Sequence, residues 1–147
     1  MVRWATLVLL SLVACSDLRE FRGTWSGKLN DNTPVVAGIP TTDALMLARL
    51  TIDEATNHEL RARLTVPGIL PETAIATLPQ VEADVLSDIT FTGAPLKVYL
   101  AFAPTTDGGG DALVVIALYD DRRVEVRLLR GGTIPLYGIF ALSEFTP

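Results

Sequence analysis

From Ser16 to Pro147 the chain sustains no apolar pattern of period 3.6, while alternation of period two returns in one segment after another. Such a chain buries one face of a strand at a time, so the expected class is all-β. The clearest instance runs from Phe21 to Asn30, with Phe21, Trp25 and Leu29 on one face and Arg22, Thr24, Ser26 and Lys28 on the other. Asn30 to Pro34 and Ile39 to Thr42 read as loop. Met46, Ala48, Leu50 and Ile52 then alternate with Leu47, Arg49, Thr51 and Asp53, and Leu60, Ala62, Leu64 and Val66 with Glu59, Arg61, Arg63 and Thr65. These two segments predict a hairpin. A register with Thr51 opposite Arg63 and Asp53 opposite Arg61 avoids facing Arg49 with Arg63, since like charges directly opposite destabilise. Thr56-Asn57-His58 is then the turn.

Prolines at 67, 71 and 79 predict an irregular connection over Pro67 to Gln80 with little ladder pairing. Val85, Ile89 and Phe91 mark a fourth strand, and Leu96, Val98, Leu100 and Phe102 a fifth. A glycine-rich turn over Pro104 to Asp111 follows. Ala112 to Tyr119, Arg123 to Arg130 and Leu136 to Phe145 complete eight, separated by Asp120-Asp121-Arg122 and Gly131-Gly132. Eight short antiparallel strands joined in sequence suit an up-and-down β-barrel, which removes exposed edges, and a two-sheet β-sandwich is the alternative. The last strand is apolar on both faces, as expected if it closes the structure beside the first strand and is covered from outside. With 147 residues, 49% of them hydrophobic, the chain supports one buried core.

The N-terminus reads as an address. Arg3 precedes an apolar run from Trp4 to Val13, interrupted only by Thr6 and Ser11, which is the layout of an export signal. The run is too short to span a bilayer, which needs about 20 apolar residues. Leu12-Val13-Ala14-Cys15 resembles the lipobox of bacterial lipoproteins. That resemblance implies cleavage before Cys15 and acylation of its thiol: 1–14 is then a signal peptide, 15–20 a lipidated Cys with a short tether, and 21–147 a single barrel domain. An ordinary secretory signal with a chance Cys near its end, or a buried helix of the mature fold, is the alternative. Two or three acyl chains anchor stably where one is marginal, and the resemblance implies that Ser16 directs the protein to the outer membrane, facing the periplasm. With its one Cys lipidated, the domain has no disulfide and relies on its core.

Phe21-x-Gly23-Thr24-Trp25, at the start of the first strand, resembles the G-x-W signature of the calycins, the group of lipocalins, fatty-acid-binding proteins and avidins. The resemblance implies a calycin-like, lipocalin-like barrel in which Trp25 closes one end by packing under a short turn supplied by Asp17 to Glu20, with Gly23 making room. The departures limit it to shape. Leu136 to Phe145 carries no Arg or Lys to lie across the Trp, the paired helices of fatty-acid-binding proteins have no counterpart in Asn30 to Thr42, and Trp25 is the only Trp after the signal.

Composition narrows the chemistry further. A net charge of -5 gives no basic footprint for nucleic acid. His58 is the only His and falls in a turn, and no free thiol remains, so no nucleophilic triad or zinc site can be assembled. Asp107-Gly108-Gly109-Gly110-Asp111 lacks the Lys and following helix of a phosphate loop and the ligand number of a calcium loop, and reads as turn. No catalytic residue, metal or cofactor is expected, and the protein is not read as an enzyme. The expected function is a non-catalytic interaction or structural module of the bacterial envelope, held to the membrane through Cys15. Its interaction face is the outward Arg49, Arg61 and Arg63, with a protein as partner. The alternative is a lipocalin-like carrier of a small apolar ligand, its cavity lined by Met46, Leu50, Leu64, Val98, Ile116 and Val126. Interior volume discriminates the two, because a barrel of eight strands is either filled by its side chains or holds one small ligand.

Overall fold

The computed structural model describes residues 18–29, 47–77 and 89–146. Cys15, Met46 and Val85 lie outside the described residues. A one-turn 3₁₀ helix, Leu18–Phe21, leads into β1 (Gly23–Lys28), followed by β2 (Leu47–Ala55), β3 (Leu60–Val66), β4 (Leu70–Ala76), β5 (Lys97–Pro104), β6 (Asp111–Leu118), β7 (Val124–Arg130) and β8 (Leu136–Glu144). All pairings are antiparallel, in the order β4-β3-β2-β1-β8-β7-β6-β5. The meander is therefore up-and-down, and β8 returns to β1 through Trp25↔Glu144 and Ser26↔Ser143. The result is a nearly closed eight-stranded barrel.

Closure falls between β4 and β5. The Thr77↔Ala101 bridge crosses that seam. So do a bond from the Thr106 amide to the Ile69 carbonyl at 2.9 Å and one from the Tyr99 hydroxyl to the Thr56 carbonyl at 2.6 Å. Burial of the Tyr99 phenol raises its pKa to about 12, so it stays a donor across the physiological range.

The core follows from register. Trp25, Leu50 and Leu64 lie side by side across β1, β2 and β3, and Tyr99, Ile116, Val126 and Phe140 across β5 to β8. All seven belong to one buried cluster. One end is closed by Phe21 and Trp25, both fully buried. Their ring centroids are 5.8 Å apart, and the indole N–H donates to the Phe21 carbonyl at 2.8 Å, so the aromatic bulk is buried without an orphaned donor. Gly27 allows the closest approach of β1 to β8: a Cβ there would drive into the Ala141 carbonyl.

Four sequence expectations need correction. First, β4 occupies the stretch read as irregular. It is the edge of the sheet, where Pro71 costs no essential ladder bond. Second, Ile89 to Phe91 form no strand and instead lie over the barrel exterior. Third, β5 has the opposite phase: Tyr99, Ala101 and Ala103 face the core, and Val98, Leu100 and Phe102 face out. The outward set is the more apolar of the two, so alternation alone picks the wrong face. Fourth, the β2–β3 register has Thr51 opposite Arg63 as expected, but a bulge at Asp53 sets Glu54 against Arg61. The turn is Thr56 to Glu59, closed by the Thr56 amide and Glu59 carbonyl at 2.9 Å.

Candidate interaction surface

Of the residues named for a ligand cavity, Met46 lies outside the described residues and the described ones do not adjoin one. Leu50, Leu64 and Val126 are 0% exposed and Ile116 1%. A side chain lining a lumen would present surface to a water-sized sphere, so the barrel is filled at these positions. Val98 is a correction: it lies on the exterior, opposite Ala117. Gly23 has φ 142°, a conformation that favours glycine at the entry to β1, and Trp25 is core.

Arg49, Arg61 and Arg63 do share the outer face of β2 and β3, and each is engaged locally. Arg61 reaches Glu59 at 3.3 Å and Glu54 at 3.6 Å. Arg63 reaches Asp53 at 3.5 Å, and the Arg49 guanidinium lies 5.4 Å from the Phe145 ring centroid. These charges are solvent-exposed and matched, so they contribute little to stability and leave a nearly neutral face. His58 is exposed in the β2–β3 turn.

The exterior of β5 to β8 is more unusual. Register aligns three outward rows across these strands: Phe102, Leu113, Leu129 and Tyr137; Leu100, Val115, Arg127 and Ile139; and Val98, Ala117, Glu125 and Ala141. The second row is covered in part by the segment entering β5. Arg127 donates to the Thr90 carbonyl at 2.8 Å and lies 4.8 Å from the Phe91 ring centroid. Arg123 donates to the Thr92 carbonyl at 3.0 Å. Beneath this segment Glu125 and Arg127 form a buried ion pair at 2.5 Å. The nearby Tyr119 hydroxyl is buried without a hydrogen-bond partner among the described residues, and desolvation raises its pKa.

The first row stays open. Phe102, Leu113, Leu129, Leu136 and Tyr137 line an apolar groove of about 610 Å³, rimmed by Asp111, Arg130 and Gly131. Phe102 is 57% exposed, the most open of the large exposed hydrophobic side chains. An exposed apolar row with a polar rim is characteristic of a contact surface.

At the groove's end, Arg130 grips Asp107 with two bonds, Nη1 to Oδ1 at 2.9 Å and Nη2 to Oδ2 at 2.6 Å. It also donates to Thr105 Oγ1, the Gly110 carbonyl and the Ile134 carbonyl. The Arg130 bond is the main reason the Asp107 carboxyl titrates well below the ordinary carboxylate range. The same bond raises the Arg130 pKa. A Cβ at Gly109 would meet the Arg130 guanidinium, so a larger residue there must displace it from its present position. The Asp107-to-Asp111 loop is thus an ordered clamp between the β5–β6 and β7–β8 connections. Asp111 itself has no side-chain partner among the described residues.

Sequence reasoning missed both groove and clamp. The signal was present in Ala112 to Leu118, apolar at every position, which a barrel strand wet on its outer face would not be. Among the described residues no group of His, Cys, Asp and Glu could hold a metal ion, and no helix is long and apolar enough to cross a membrane. The chain matches no protein-family model, no curated protein and no solved structure.

Proposed function

We propose that this chain is a lipid-anchored bacterial envelope lipoprotein whose barrel is a solid, non-catalytic interaction module. The observation that carries this reading is the filled interior at Leu50, Leu64, Ile116 and Val126 set beside an open apolar groove on the exterior. A carrier needs the reverse arrangement. The lipobox-like Leu12-Val13-Ala14-Cys15 supports acylation at Cys15 and residence at the outer membrane, facing the periplasm. The one-turn helix packed over Trp25 supports the calycin resemblance as a resemblance of shape.

Two measurements test the reading. Cys15→Ser should shift the protein from the membrane to the soluble fraction, and equal membrane retention of mutant and wild type would refute the anchor. Native mass spectrometry of the full-length protein should show no stoichiometric apolar molecule. A retained one, lost on enlarging Ala62 to Leu, would establish the carrier instead.

A further inference from the structure

The geometry points to the groove of Phe102, Leu113, Leu129 and Tyr137 as the docking site for a basic, apolar segment of a partner protein, taken in extended form. This inference deepens the interaction reading and rests on it. The row crosses four adjacent strands, a span of about 15 Å, which matches four or five residues of extended chain. The chain's own residues 89–96 already lie on this face, presenting the Thr90 and Thr92 carbonyls to arginines and the Phe91 ring to Arg127. The open row continues that intramolecular interface.

Charge selects the occupant. Two charged residues line the groove, Arg130 and Asp111. Arg130 is neutralised by Asp107, which leaves the Asp111 carboxylate uncompensated in a chain of net charge -5. A Lys or Arg on the incoming segment answers it, and field complementarity favours a cationic partner over an acidic one. A second copy of this chain is disfavoured, because a two-fold contact over the groove brings the same uncompensated carboxylate from both sides. The anchoring bilayer is disfavoured by polarity of the barrel. The Leu18–Phe21 helix, three residues after Cys15 in sequence, leads into β1 where β8 ends, whereas the groove sits where β5 ends and β8 begins.

The experiment uses full-length protein in nanodiscs of phosphatidylcholine, with empty nanodiscs as background, and two fluorescent peptide probes, Lys-Leu-Val-Leu-Lys and Glu-Leu-Val-Leu-Glu. The basic probe should bind about tenfold more tightly at low salt. Phe102→Ser should weaken it about tenfold, as loss of an aromatic anchor does. Asp111→Asn should shrink the preference between probes to about twofold. Both side chains are exposed, so thermal melting should not move. Equal binding of the two probes, or a basic probe indifferent to Phe102→Ser, overturns the proposal. So does sedimentation showing a dimer that Phe102→Ser dissolves, or binding of the delipidated protein to phosphatidylglycerol vesicles that Phe102→Ser abolishes. Photo-crosslinking in intact cells separates the two levels of the argument. Adducts from a photoreactive residue at Arg61 but not at Phe102 overturn the groove and leave the interaction reading standing. Absence of adducts at every exposed position overturns both.

Discussion

Trp25 does more than fill space. Its ring packs on Phe21 and its N–H is spent on the Phe21 carbonyl, so the helix before β1 and the barrel end are one unit. Trp25→Ala should cost about 3 to 5 kcal/mol, the range for deleting a large buried aromatic, and a denaturation midpoint that stays put would show the end is plugged by something else. Arg130 plays the matching part at the other end, and its partner gives it a pH signature. Asp107 titrates lower in the folded chain than in the unfolded one. The folded state therefore holds its proton less tightly, and the clamp's contribution is complete above the ordinary carboxylate range near pH 4 and is lost as pH falls through the depressed folded value. Asp107→Asn should lower stability at neutral pH and flatten the acid limb of the stability profile. An acid limb identical to wild type would mean that other carboxylates govern it.

Among the elements, the β1–β8 pairing joins the first four strands to the last four, and Gly27 lies where the two backbones leave no room for a Cβ. Gly27→Ala must displace the Ala141 carbonyl or break the β1–β8 pairing, at a cost of at least about 1 to 3 kcal/mol, as for overpacking. Unchanged thermal unfolding would show that β8 can shift freely. The return of β8 to β1 was legible in sequence, since β8 is apolar on both faces, as were the β2–β3 hairpin with Thr51 opposite Arg63 and the Trp25 plug. β4 was not legible: Pro71 within it and the prolines at 67 and 79 around it suppress the strand signal, and only its edge position makes Pro71 tolerable. β5 misled for a different reason. Alternation reports which face is more apolar, and here the exterior carries Val98, Leu100 and Phe102 because chain or groove lies there, while alanines at 101 and 103 suffice inside. The candidate surface depends on that inversion, so no pattern rule assuming a wet exterior could find it.

For the whole molecule, a filled barrel with one weak seam implies uneven local stability. β6 and β7 are paired on both sides and buried on both faces over much of their length. β4 and β5 each have one full ladder; the Thr77↔Ala101 bridge and the Thr106 bond cross the gap between them, and the Tyr99 bond ties β5 to the β2–β3 turn on the far side. Opening the seam breaks those few links and leaves the rest of the meander intact, so it should need much less free energy than global unfolding. In native-state hydrogen exchange, amides of residues 114–118 and 124–128 should therefore be the slowest, near the global limit. Those of 70–76 should exchange at least about tenfold faster, about 1.4 kcal/mol less protected. Tyr99→Phe removes the hydroxyl bond across the seam and should widen the gap while leaving 124–128 almost unchanged. Protection of 70–76 equal to that of 124–128 would mean that the barrel unfolds as one unit and that closure between β4 and β5 is as strong as any ladder in the sheet.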